Sequence, residues 1–214
     1  MANTSQAPIS GVIIAGGRSK RLGQDKRRLR LWGRQGPTLL EHVAHTLAKH
    51  CDEVIVVLND AEAWTDLPAR MAPDVFPDSG PLGGIYSGIA AASHPFVFAI
   101  ASDMPFLSGS LIQWMIDQPR DYDVLAPRVG GEVARNRLGV QSLHAIYSRA
   151  CAEPIRHQLE IGNPQVIGFF DQVKVQFVEA IKIAELDPAG TAFLNVNTPA
   201  ELDEARRLLA GRVQ

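Results

Sequence analysis

The sequence predicts an α/β fold: a Rossmann-like, doubly wound and mostly parallel sheet flanked by helices. Three observations lead there. Short apolar runs alternate with amphipathic segments along the chain, which is the pattern of βαβ units. The apolar runs lack polar alternation, as expected of strands buried on both faces. Polar or glycine-rich motifs follow three of those runs directly, and open α/β sheets bind ligands beyond the carboxyl ends of their strands.

Residues 10–16, SGVIIAG, form the first such run, stopped by glycine. Residues 38–50 have helical spacing, with Leu39, Leu40, Val43 and Leu47 on one face and Thr38 as the cap. Residues 52–59 read as a second buried strand and 70–80 as a short strand and turn. Residues 83–93 form a small-residue helix, 95–102 a third strong strand, and 108–118 a further helix. The second half is less regular. Residues 121–148 read as strand, Gly-Gly turn and strand, 151–160 as a short helix, and 171–180 as a half-exposed strand. In the last helix, 198–210, Thr198 and Glu201 are spaced as a capping box around Pro199. This half is expected to complete the sheet and build the second wall of a cleft.

A length of 214 residues suits a single domain over 1–214, with 1–8 as a flexible N-terminus. The formal net charge of −2 speaks against coating nucleic acid or an anionic membrane by bulk charge. Cys51 and Cys151 form no CxxC or zinc spacing and read as reduced thiols. The N-terminus has no apolar signal core, and no apolar run is long enough to span a membrane, so a cytoplasmic location is expected.

The stretch GVIIAGGRSKRLGQDKRRL, residues 11–29, ends a strand in a loop that is glycine-rich and cationic. Gly16 and Gly17 allow backbone N–H groups to approach an anion, and Arg18, Lys20, Arg21 and Lys26 can neutralise it. It is neither a Walker loop, since Gln24 and Asp25 follow Gly23, nor a GxGxxG turn. The alternative is a tight turn with solvated basic residues. Asp103 follows a buried strand, where a carboxylate can hold Mg²⁺ beside ligand phosphates; the alternative, a helix cap, is better filled by Ser108. In PDSGPLGGIYSG, residues 77–88, Gly80 and the glycines after it mark a helix start that can face an anion or a nucleobase, or simply pack closely. Asn195 and Asn197 offer amides to a metal or polar ligand, or cap the last helix. The histidines, 42, 45, 50, 94, 144 and 157, show no metal spacing, and His42 and His45 read as surface residues. Trp32, Trp64 and Trp114 read as packing residues, and no Ser-His-Asp arrangement is present.

IAGGRSKRLGQDK resembles the signature of nucleotidyltransferases in the glycosyltransferase-A-like superfamily, whose fold is that of the nucleotide-diphospho-sugar transferases. With GPLGG, SDMPF, LHAIYSR and NVNTPAEL, in that order along the chain, it resembles the molybdenum cofactor guanylyltransferase family, the MobA type. The resemblance implies a Mg²⁺-dependent enzyme that moves GMP from GTP to the phosphate of the molybdopterin-molybdenum cofactor. It implies GTP and that cofactor as partners, with transient contact to other cofactor-biosynthesis proteins or molybdoenzymes. Carried onto this chain, Ile14, Ala15, Gly16 and Gly17 lie against the nucleotide, with Gly80 also on the ligand side. Arg21 and Lys26 bind the triphosphate, and Asn59 sits near the base or ribose. Asp74 contacts GTP, with Asp78 as its rival, Asp103 is the Mg²⁺ ligand, and Asn195 or Asn197 faces the metal and the pterin phosphate. The chain departs from the family in a basic DKRRLRL where DKALL is usual, in Ser142 for a common proline, and in an arginine-rich GGEVARNRLGV, all expected on the acceptor side. Alternatives are cytidylyl transfer to the same cofactor, another nucleotidyl transfer on this fold, and a non-catalytic nucleotide- or cofactor-binding accessory protein. A sugar-nucleotide pyrophosphorylase fits less well, since the chain is short and lacks a clear sugar-binding insertion.

Overall fold

A computed structural model describes residues 7–16, 22–64, 67–130 and 136–211. Its strands are β1 (Ile9–Ile14), β2 (Glu53–Val57), β3 (Arg70–Ala72), β4 (Phe96–Ala101), β5 (Val124–Pro127), β6 (His144–Ser148) and β7 (Val175–Val178). They form one sheet in the order β3-β2-β1-β4-β6-β5-β7. β1 runs parallel to β2 and β4, β2 to β3, and β5 to β7. Only β6 is reversed, pairing antiparallel with both β4 and β5. The mostly parallel sheet expected from the sequence is therefore what the chain forms, and the 121–148 segment is its strand–turn–strand.

The helices are α1 (Leu39–Leu47), α2 (Gly80–Ala91), α3 (Gly109–Ile116), α4 (Ala152–Glu160), α5 (Ala180–Leu186) and α6 (Pro199–Gly211). β1 is buried along its whole length and shows why two layers are needed. Its alternate side chains feed two cores. Ile9 and Ile13 join Leu40, Leu47, Leu111 and Leu202 of α1, α3 and α6. Val12 and Ile14 join Leu82, Ile89 and Ile155 of α2 and α4. α2 can lie this close only because Gly84 and Gly88, one helical turn apart, face Ile14 and Val12. A Cβ at Gly84 would stand 2.7 Å from Ile14 Cγ2, and one at Gly88 would stand 2.3 Å from Val12 Cγ1.

The predicted caps form. Thr38 and Glu41 make a reciprocal capping box, and Thr198 and Glu201 make another. Ser108 Oγ accepts from Leu111 N at 3.2 Å, so Ser108, not Asp103, caps α3. α2 begins at Gly80, three residues before the expected start at 83, because the helix runs through the glycines instead of waiting for them. α5 and the 3₁₀ segment Val166–Gln172 were not expected, both being too short to show a period. His42 is half-buried rather than a surface residue: its ring stacks on Trp32 at 3.9 Å, and burial pushes its pKa down to about 4. Cys51 and Cys151 are free thiols. No described helix is long and apolar enough to cross a membrane. Of the N-terminus expected to be flexible, residues 1–6 lie outside the described residues.

At the amino ends of the strands, the Glu53 carboxylate accepts from Ser10 Oγ, Arg70 and Ser93, pinning β1, β2, β3 and the chain after α2 together. Burial opposes its ionisation, but these bonds win and hold its pKa at about 2.

Gly88→Ala sets two effects against each other. Alanine gains roughly 1 kcal/mol in helix propensity, whereas overpacking a filled core costs about 1–3 kcal/mol. Val12 is fully buried on a central strand and cannot retreat. The substitution is expected to lower the melting temperature.

A second prediction concerns His144, which is fully buried between Phe98 and Phe193 with both ring centroids 5.2 Å away. Burial lowers its pKa to about 3. In the unfolded chain the ring protonates near pH 6.5. Below that pH the unfolded state binds more protons, so stability is full above about 6.5 and falls with pH by up to about 1.4 kcal/mol per unit. His144→Leu should flatten this slope in denaturant titrations between about pH 6 and pH 4; an unchanged slope would assign the acid sensitivity elsewhere.

Candidate active site

The carboxyl ends of β1, β2 and β4 are held level by backbone bonds. Ala15 N donates to Val57 O at 3.0 Å, Leu58 N to Ala72 O at 3.0 Å and Ser102 N to Ile14 O at 3.2 Å. Above them opens a cavity of about 470 Å³, within the range of small-molecule sites. One wall carries Ile14, Gly16, Asp74, Asp78, Gly80 and Pro81; the floor is Ala101, Ser102 and Asp103; Lys26, Asn195, Gln141 and Leu143 close the rest.

Lys26 opens a 3₁₀ turn, Lys26–Arg28, capped by the Asp25 side chain. From there its Nζ reaches Asp103 Oδ2 at 2.6 Å and Asn197 Oδ1 at 2.8 Å. These three residues come from three distant parts of the chain. The segment that carries the asparagines is fixed from below: Val196 N donates to Asp103 O at 2.9 Å, and the Val196 side chain is buried. Asn195 and Asn197 flank it, so in an extended segment both turn to the side opposite Val196. Asn197 is therefore no helix cap; Thr198 and Glu201 do that work, and Glu201 also accepts from Asn197 N.

Asp103 is almost fully buried, and its Oδ1 has no hydrogen-bond partner among the described residues. A buried carboxylate oxygen without a donor is costly, and a hard cation would satisfy it. No group of three or more His, Cys, Asp or Glu residues able to hold a metal exists among the described residues. The site thus fits an ion held by one carboxylate plus a ligand's own phosphates, which is how Mg²⁺ is commonly bound. The described lining carries three carboxylates, Asp74, Asp78 and Asp103, and one ammonium, Lys26. That balance suits a polyphosphate arriving with a divalent cation.

On the opposite wall Asp74 is fixed by three hydrogen bonds. Its N–H donates to Asn59 Oδ1 at 2.9 Å, and its Oδ1 accepts from Phe76 N and Ser87 Oγ. Ser87 Oγ in turn lies 3.0 Å from Val75 N. Asp74 Oδ2 faces Gly16, 3.8 Å from where a Cβ would stand. Asp78, the rival for the nucleotide contact, also lines the cavity and has φ of 63°, a left-handed backbone uncommon outside glycine. Ser79 gives α2 no side-chain cap, and the helix opens at Gly80 and Pro81 against the cavity.

The structure brings together Ile14, Gly16, Lys26, Asp74, Asp78, Gly80, Asp103 and Asn195. Asn197 joins through Lys26. Two expected residues are not among the lining: Asn59 braces Asp74 from behind, and the Ala15 side chain is buried in the core. Gly17 and Arg21, with Arg18 and Lys20, lie outside the described residues. Sequence reasoning missed Val57, Ala101, Ser102, Gln141 and Leu143. Ser102 could have been found as the residue before Asp103; Gln141 and Leu143 precede a strand instead of following one, so the rule that located the others did not reach them.

Residues 11–173 match the MobA-like NTP transferase domain. The chain belongs to the MobA-like NTP transferase family. A Chloroflexus aggregans member named "Probable molybdenum cofactor guanylyltransferase" is 42% identical over 199 residues, 91% of each chain. "Molybdenum cofactor guanylyltransferase" of Desulfosudis oleivorans is 31% identical over 207 residues, 96% of this chain and 98% of its own. In fold, the MobA-like chain is similar to the crystal structure of "Molybdopterin-guanine dinucleotide biosynthesis protein A" from Archaeoglobus fulgidus. The TM-score is 0.77 at 19% identity, covering 94% of this chain and 99% of that one.

For a MobA-like nucleotidyltransferase, Asp103→Asn is an informative change. It removes the charge but leaves an acceptor for Lys26 and leaves the backbone tie to Val196 intact. Pyrophosphate release is expected to fall by about 100-fold or more, while circular dichroism stays that of the wild type.

Proposed function

We propose that this chain transfers GMP from GTP to the terminal phosphate of a molybdopterin-type cofactor, releasing pyrophosphate. The observation that carries the reading is the meeting of Lys26, Asp103 and Asn197 at one mouth of the sheet. The names of the relatives supply the guanylyl group and the acceptor.

An acceptor phosphate oxygen attacks the α-phosphorus of GTP, the bond to the β-phosphate oxygen breaks, and pyrophosphate leaves in line. The acceptor phosphate is already ionised near neutral pH, so no general base is needed. Catalysis then rests on positioning and charge stabilisation. Lys26, with Arg21 assigned the same role, binds the triphosphate and offsets charge gathering on the leaving pyrophosphate. Gly16 lets backbone approach the nucleotide, and Asp74 holds its polar edge. Asp103 is the residue that would hold Mg²⁺, with Asn195 or Asn197 beside it. Bound there, the ion would neutralise negative charge on the reacting phosphates.

Calorimetry of the purified protein with Mg²⁺ and each of GTP, CTP, ATP and UTP tests this. GTP is expected to bind most tightly, and Asp103→Ala should remove the Mg²⁺ dependence. A preference for CTP would move the assignment to cytidylyl transfer. Absence of binding to any nucleotide would remove the catalytic reading.

A further inference from the structure

We infer that Arg27 is a positioning residue that holds Lys26 and the Asn59–Asp74 wall in one frame for the nucleotide. The inference rests on the nucleotidyl-transfer reading and goes beyond it, because Arg27 is not among the residues lining the cavity.

In a 3₁₀ turn successive side chains are about 120° apart. Lys26 points to Asp103, and Arg27 points away, toward the end of β2. There all five of its N–H donors find acceptors. Nη1 and Nη2 fork onto Asp60 at 2.7 and 2.6 Å. Nε and Nη2 fork onto Asp25 at 2.9 and 2.8 Å. Nη1 also reaches Ala15 O at 3.4 Å, at the end of β1. The guanidinium lies over Trp64 at 5.6 Å. Its side chain is only 15% exposed, unlike the solvated pairs whose net worth is small.

Each partner leads to the site. Asp25 caps the turn that presents Lys26. Asp60 follows Asn59, whose amide oxygen holds Asp74 N. Arg27 is thus the link between the phosphate side and the base side of the cavity. Arg27 turns toward Asp60 and the end of β1, on the side of Gly16 and Asp74.

The test is Mg·GTP affinity by calorimetry for wild type, Arg27→Gln, Arg27→Lys, Lys26→Gln and the Arg27→Gln/Lys26→Gln pair, with melting temperatures alongside. If Arg27 acts through Lys26, the changes are not additive. Arg27→Gln alone should weaken binding by about 10-fold, but by no more than about 2-fold on top of Lys26→Gln. Arg27→Lys cannot fork both carboxylates at once and should follow Arg27→Gln. Equal losses in both backgrounds, or wild-type affinity in Arg27→Lys, would overturn the inference and leave the transferase reading standing. Failure of the wild type to bind any nucleotide would overturn both. Should Arg27→Gln not fold, Asp60→Asn cuts the same link from its half-exposed end and replaces it in the cycle.

Discussion

The mouth of this sheet is organised around one ion pair, Lys26 with Asp103, 2.6 Å apart and mostly shielded from water. Removing one member of a buried pair leaves the other charge unpaired, at a cost of roughly 3–5 kcal/mol. That constraint explains why the segment around Val196 is tied down so firmly, and why the turn carrying Lys26 is capped and braced. It also limits what can enter. A ligand bringing only negative charge can take Lys26 but strands Asp103; a bare cation does the reverse. Under the proposed function, a polyphosphate with its metal would replace both partners at once, exchanging an internal ion pair for an external one.

Much of this was legible in the sequence because it is local. The buried runs of β1, β2 and β4, the caps at Thr38, Ser108 and Thr198, and the clustering of motifs at strand ends all follow from periodicity and topology rules. Glycines were harder. Gly80 borders the cavity while Gly84 and Gly88 serve packing, and a glycine looks the same in either role until its neighbours are known. Asn59 illustrates a second limit: its strand-end position was right, but its amide faces Asp74 rather than the cavity. The partners of Arg27 lay further out of reach, since Asp60 is 33 residues away and nothing in a run of basic residues says which one turns inward.

The reversal of β6 is what lets two separate histories meet in one cavity. Strands β1, β2 and β4 bring residues that follow them; β6 brings Gln141 and Leu143, which precede it. The two walls therefore depend on different loops, and among the described residues the wall of Gly16 and Asp74 shares no backbone bond with the β5–β6 connection.

That connection has a consequence for how the protein can change. Its ends are clasped together where Arg128 pairs with Val140 and Gln141 N donates to Pro127 O at 2.8 Å. Everything between the clasped ends can lengthen without disturbing the sheet, and each doubling of such a loop costs only about 0.6 kcal/mol in closure entropy. Insertions between the clasped ends would leave the sheet in place, and with it Gln141 and Leu143, which line the cavity from the clasp itself and from just beyond it.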